Sequence, residues 1–348
     1  MKRRVVGVDV TSKSIRAVQM LHKTGQRSIV EKFIEYPLGV SSNDAELTPG
    51  QILGGQLKLA FAQAGFKTRD VVFGIGGPDV FVKEFETPDL PKGKLRKLLP
   101  ELAKGELPMP LDEVVLDYYA NRRDQPEGSA EAKLGGILVA ASKKIIDLYM
   151  EASRVAKLNV LAIDLIPFAL TRNLSRRSAT PGVRAYVRAA NAYINIIVTD
   201  GPAISFVRLV PWEHASLNMT PLSSDEDSEG AGIVLEFTDV HTSQITIADG
   251  ADETQATLHR QAIKELDDTI RYFQRNHPDK AVEEILVSGI RLDNPAFMDM
   301  LKSGRDIKVT GVTRSGLGHK RSTVSTVDSS EIPDHLAVAL SLAEAMAV

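Results

Sequence analysis

Residues 7–18 read GVDVTSKSIRAV. An apolar run ends in the acid Asp9, a polar turn follows at Thr11–Lys13, and a second apolar run starts at Ser14. The pattern predicts a β-hairpin of residues 4–10 and 15–21. Many phosphate-binding folds open with a strand, an acid and a tight turn, because successive backbone N–H groups in such a turn cradle an anion. Here the turn holds Thr11 and Lys13 where a phosphate cradle takes glycine. The stretch therefore poses a question: does the chain still hold a nucleotide?

Working outward, RSIVEKFIEYPL (27–38) predicts a third strand. Residues 47–66 have helical spacing at Ile52, Leu53, Leu57, Leu59, Ala60 and Ala64, with Gly65 as the C-terminal cap. The next block, 71–155, changes character and reads as an inserted α+β subdomain. It opens with an alternating hairpin turning at Gly76, Gly77 and Pro78, followed by a charged helix interrupted by Pro100. Strands at 114–123 and 134–143 then flank a polar loop, and an amphipathic helix spans 144–158. A buried strand at 159–166 leads into a further helix. From Val183 the order of elements restarts as strand, turn, strand, turn, strand, which reads as a duplicated core. A polar, acidic loop at 218–232 precedes a helix at 258–276, a buried strand at 283–290 and a helix at 294–304. A polar stretch at 314–331 leads into an Ala-rich last helix.

The chain has 348 residues, 43% of them apolar, enough for two domains or one large bilobed unit. Its net charge of -3 gives no global basic field to draw in nucleic acid. The lack of cysteine excludes a disulfide scaffold, a thiolate nucleophile and a Cys-ligated metal. Asp9 interrupts the N-terminal apolar run, so no signal peptide is expected. The most apolar later stretch, NVLAIDLIPFAL, carries Asp164 and Pro167 and falls far short of the roughly 20 residues a membrane span needs. The seven histidines show no close metal-ligand spacing.

Two ribonuclease-H-like halves, an insert in the first half and a terminal Ala-rich helix resemble the actin-like ATPase architecture. VGVDVTSKSIRAV, ELPMPLDEVVLDYYA, ILVAASKKIIDLYMEASRVAKLNVLAIDLIPFAL, KELDDTIRYF and HLAVALSLAEA stand in the order found in PilM-type type IV pilus assembly proteins, relatives of FtsA. The resemblance implies an α/β, actin-like bilobed fold. Its first lobe is 1–180, with 71–155 inserted and a C-terminal helix, 333–348, returning to it. Its second lobe is 181–332. The resemblance further implies a cytoplasmic protein held at the inner face of the membrane. There it clamps the short N-terminal cytoplasmic tail of a PilN-like single-span membrane protein and links the pilus motor machinery to periplasmic alignment proteins. Extended-peptide capture of this kind uses main-chain hydrogen bonds and a few apolar anchors.

Carried onto this chain, the family's first phosphate turn retains Asp9, and Ser12 and Ser14 can donate hydrogen bonds. Thr11 replaces a glycine, which strains a turn that needs unusual backbone angles or close phosphate approach. Lys13 either contacts a phosphate or is a solvated turn residue, and Arg16 falls where the family has lysine. In the second turn Arg188 stands at the position of the acid, Ala190 at a glycine, and Ala192 and Tyr193 at hydroxyl positions. Arginine neither accepts hydrogen bonds nor binds Mg2+. The adenosine loop is Ser288, Gly289 and Ile290, with Glu265 near the adenosine and Asp268 where the family has a basic residue. For Glu265 and Asp268 a solvated helix face is the alternative. The expectation is a scaffold with nucleotide handling impaired or lost, with no catalytic residue, no metal site and no cofactor. The alternative is an ATP/Mg2+ switch that hydrolyses slowly or polymerises like FtsA, in which case the missing acid lies elsewhere, as at Asp200. A division-type membrane tether is a third reading, and the C-terminus lacks the basic amphipathic tail it needs.

For the partner, Val72, Phe81, Val82 and Phe85 are expected to offer an alternating face and an edge strand to the groove. Phe81 and Phe85 share one side and Val82 lies on the other, so one set lines the groove at most. The alternative packs the Phe pair inside the insert. GIGGP (74–78) reads as a hairpin turn, because no helix follows it. Asp112, Glu113 and Asp117 read as surface and cap groups. Lys92, Lys94, Arg96 and Lys97 face either anionic lipid or solvent.

Overall fold

The computed structural model describes residues 2–26, 28–39, 47–124, 132–177, 182–189, 193–211, 251–289, 295–311 and 334–346. The expected loop at 218–232, the polar stretch at 314–331, and Ala190, Ala192 and Ile290 lie outside the described residues. In chain order the strands of the first half are β1 (Lys2–Val10), β2 (Ser14–Lys23), β3 (Ile29–Pro37), β4 (Asp70–Ile75), β5 (Val80–Pro88), β6 (Val114–Asp124), β7 (Lys133–Ser142) and β8 (Asn159–Leu165). The helices there are α1 (Pro49–Ala64), α2 (Lys92–Leu102), α3 (Lys143–Ala156) and α4 (Ile166–Arg177). The second half holds β9 (Val183–Ala189), β10 (Tyr193–Asp200), β11 (Ala203–Pro211), α5 (Ala251–Asn276), β12 (Val282–Gly289), α6 (Pro295–Lys302), β13 (Lys308–Gly311) and α7 (Ala337–Glu344).

Two five-stranded sheets repeat one topology. The first runs β3-β2-β1-β4-β8 and the second β11-β10-β9-β12-β13. In each, three antiparallel strands are followed by two parallel ones. β1 lies at the centre of its sheet, and Val5, Val6 and Val8 are wholly buried because helices cover both faces. α1 starts at a capping box, with Thr48 and Gln51 bonding each other's backbone amides, and ends at Gly65 with φ 59°. Left-handed backbone suits glycine at this position.

The expected hairpin at 71–88 does not form. β4 runs parallel to β1 and β8, whereas β5 leaves for a separate three-stranded sheet of order β5-β7-β6. The run Val71–Ile75 is buried throughout, as a parallel strand covered on both faces must be. The insert's sheet therefore starts at Val80 and ends at Ser142, inside the expected 71–155. Its helix is α2, which buries Leu95 and Leu99 and, with its cap Ala103, lays Leu99 against Leu138 of the sheet. The later helix, α3, packs instead on α1. Gly54 lets the α3 backbone approach, since a Cβ there would lie 2.8 Å from the Ala152 carbonyl, and Thr48 donates to Glu151 at 2.8 Å. β8, expected to be buried, is the sheet edge and is mostly half-buried.

The last helix returns across the whole chain. α7 lies on β1 so closely that a Cβ on Gly7 would run into the Ala339 carbonyl oxygen. His22 contacts the Ala343 carbonyl at 2.9 Å, and Leu336, Ala339, Leu340 and Ala343 join Val18 and Met20 in a buried cluster. The main core is continuous between halves: Tyr186, Ile197, Ile204 and Val207 of the second half pack with residues of the first sheet and the insert. Among the described residues no helix is long and apolar enough to cross a membrane.

Candidate functional site

The β1–β2 turn is closed by its own threonine. The Thr11 hydroxyl accepts the Ser14 amide at 3.0 Å and the Lys13 amide at 3.3 Å, and donates to the Ser14 carbonyl at 3.0 Å. Those amides are the donors a phosphate turn presents to its anion. Thr11 does this without strain, because among the described residues Lys157 alone, apart from glycines, has positive φ. The strain expected at Thr11 is therefore absent. A side-chain oxygen satisfies the turn in place of a ligand.

A carboxylate then occupies the next ring of contacts. Glu35, directly opposite Arg16 in the β2–β3 register, accepts from Ser14 Oγ at 2.9 Å and Arg16 Nε at 2.9 Å, and pairs with His335 at 2.8 Å. Burial pushes the Glu35 carboxyl up, but bonds from Arg16 and Ser14 and the charges of Arg16 and His335 outweigh it and leave it below the usual range. The Ser14 hydroxyl and Arg16, two groups expected to face a phosphate, are thus bound to a negative charge. Ser12 and Lys13 are exposed. Glu35 was missed in the sequence. The signal was the pairing of β2 with β3, which sets Arg16 opposite an acid.

Asp9 is only 5% exposed. Burial pushes its carboxyl up, while the positive charges of Arg188 and then Arg16 pull against that rise. Arg188 sits near the end of β9, the counterpart of β1, so its charge reaches Asp9 from the opposite lobe. Nearby, burial raises the Tyr149 hydroxyl, helped by the charges of Asp9 and Asp79. Tyr193, at the start of β10, crosses to the β4–β5 loop: a Cβ on Gly77, whose φ is +88°, would come within 2.9 Å of its ring. The GIGGP segment is thus a loop packed under a tyrosine. Asp200 lies at the far end of β10 from Arg188 and pairs with Lys280 at 2.9 Å, so it does not supply the missing acid.

The adenosine-side residues are engaged elsewhere. The Ser288 hydroxyl bonds the Tyr186 hydroxyl, Gly289 pairs with Ala189 in the sheet, and Glu265 pairs with Arg208 at 2.8 Å. Asp268 pairs with Arg271 at 2.6 Å on the exposed helix face. A depression of about 390 Å³ is walled by Arg260, Lys264, Asp267 and Met300, on α5 and α6, rather than by Asp9 or Arg188. Among the described residues no group of three or more His, Asp or Glu side chains could hold a metal ion.

The groove candidates separate. Val72 is wholly buried in the first sheet and lines no surface. Val82 packs against the main core, while Phe85 packs with Leu99, Ala103 and Leu138 under α2. Phe81 is half-buried on β5, an edge strand of the insert sheet. The two Phe residues share a face, as alternation requires, but Phe85 takes the inward role. Asp112, Glu113 and Asp117 are exposed.

Two repeated sheets of this topology, with an inserted sheet in the first half, define a protein of the actin-like ATPase fold. The chain belongs to the PilM family of type IV pilus assembly proteins, whose family model matches residues 7–186. Among solved structures, a PilM–PilN type IV pilus biogenesis complex overlays at 18% identity with a TM-score of 0.67, covering 97% of each chain. A Bacteroides thetaiotaomicron protein of actin-like ATPase fold and unknown function overlays more loosely, at 11% identity and TM-score 0.45, over 89% of this chain and 90% of that one. No curated protein matches the chain.

Proposed function

We propose that this chain is a scaffold of a type IV pilus inner-membrane assembly platform. It acts from the cytoplasm, captures the N-terminal cytoplasmic tail of a PilN-like single-span protein, and works without nucleotide. The observation that carries the reading is membership of the PilM family over residues 7–186, a stretch that contains the insert and all of the first sheet but the start of β1. A solved relative of the same fold is a PilM–PilN complex, which supports a PilN-like protein as the partner. The tail adds along the β5 side of the insert with Phe81 as an apolar contact. The filled first turn supports the absence of nucleotide: Thr11 takes the amides, Glu35 takes Ser14 and Arg16, and Arg188 stands where an acid would organise Mg2+.

The test is fluorescence anisotropy of a labelled peptide with the tail sequence of the PilN-like protein encoded beside this chain. Wild type binds, and Phe81→Glu loses binding at least tenfold while its circular dichroism is unchanged. Equal binding by a folded Phe81→Glu chain excludes this face. Failure of wild type to bind excludes tail capture.

A further inference from the structure

The outer layer of the insert carries a feature that tail capture does not use. Residues 92–104 hold five cations, Lys92, Lys94, Arg96, Lys97 and Lys104, against one acid, Glu101, in a chain whose net charge is -3. All five are exposed. None of their side chains has an ion-pair or hydrogen-bond partner among the described residues, although Lys83 and Glu106 beside them do pair with each other. The helix is fixed from behind, where Leu95 is buried and Leu99 and Ala103 pack with Leu138 and Phe85. On its outward side Leu98 is 39% exposed, next to Lys94 and Lys97 on the helix. The charges therefore sit on a rigid platform facing solvent, with one leucine among them.

We infer that the outward face of α2 is a docking surface for anionic phospholipid. Clusters of four to eight basic residues on an amphipathic helix favour anionic headgroups, and their attraction decays within a Debye length of the surface. Four of the five cations are lysines, point charges on rotatable stems with no fixed fork. That suits an array of mobile phosphates, whereas an acidic protein partner is held by fixed geometry around a central apolar pocket. The helix already spends its apolar face on the insert, so adsorption is shallow: headgroups meet the lysines, and Leu98 reaches the boundary. The inference stands apart from tail capture, since it concerns the exposed charges of α2 rather than the β5 edge, and a different ligand.

The experiment is co-sedimentation of the full chain with vesicles of phosphatidylcholine alone or mixed with phosphatidylglycerol. Wild type binds the mixed vesicles at low salt, releases them as salt rises, and ignores the neutral ones. At about fivefold per charge, Lys94→Gln, Arg96→Gln, Lys97→Gln and Lys104→Gln combined weaken binding by at least ~100-fold. A variant with Lys94, Lys97 and Lys104 each changed to Arg binds like wild type and controls for fold. Wild type left in the supernatant with anionic vesicles, or a folded glutamine variant that binds equally, overturns the inference. So does wild type that binds polyglutamate but not vesicles, which makes the patch a site for acidic polypeptide.

Discussion

A hydroxyl in a tight turn competes with an incoming anion for the same amide hydrogens. In this chain the Thr11 oxygen already accepts the Ser14 and Lys13 amides. Thr11→Gly removes the acceptor and leaves two amides to water. It is expected to lower stability by about 1 kcal/mol in urea unfolding, and calorimetry should still detect no Mg2+-ATP binding, because Glu35 and Arg188 remain. Glu35 also sets a pH dependence. Its carboxyl lies lower in the folded chain than in the unfolded one. Its contribution is therefore present above the ordinary carboxylate range and lost as pH falls through the lowered folded value. Glu35→Gln should flatten that part of an acid-unfolding profile. Asp9 has the opposite sign: its folded value is raised, mainly by burial, so its charge opposes folding above that value. Asp9→Asn is expected to unfold at a higher urea concentration than wild type at pH 7. A lower midpoint would mean that the pull of Arg188 exceeds the cost of burying the charge.

At the level of elements, local signals were read well where local physics decides the outcome. The β1–β2 hairpin, the α1 helix and its Gly65 cap follow from alternation, spacing and left-handed backbone, all contained within a few residues. The 71–88 stretch was misread because Gly76-Gly77-Pro78 is a good turn signal between two alternating runs. What separates β4 from β5 is its partner, β1, more than sixty residues earlier in the chain. The uninterrupted apolar run Val71–Phe73 was the clue to a strand buried on both faces. The Thr11 hydroxyl was legible as a hydroxyl but not as a plug, since the Glu35 that completes it sits on another strand. The two aromatic residues of β5 now separate in a testable way. Phe85→Glu buries a charge under α2, so it should melt the insert and lower stability by at least ~3 kcal/mol. Phe81→Glu should leave the circular dichroism unchanged. Gly7→Ala drives a methyl group into the α7 backbone, which cannot rotate away, and is expected to lose ~3 kcal/mol or more in urea unfolding.

Over the whole molecule, the halves are joined by a common core, by Asn121 of the insert donating to the Ile204 carbonyl at 2.8 Å, and by His277 against Glu84 at 3.3 Å. If the chain works without nucleotide, as proposed, small-angle X-ray scattering should give the same radius of gyration with and without Mg2+-ATP. A ligand-dependent change would restore the switch reading. The return of α7 to β1 also has a consequence for how the chain is made. His22 meets Ala343 across 321 residues, so on the ribosome the first sheet waits for the last helix with Val18, Met20 and the bare backbone of Gly7 unshielded. At roughly 5–20 residues per second that wait lasts about 15 to 60 s. During it the nascent first lobe is an open substrate for chaperones, and a ribosome stalled before residue 337 should hold a lobe that proteases cut and the released chain resists.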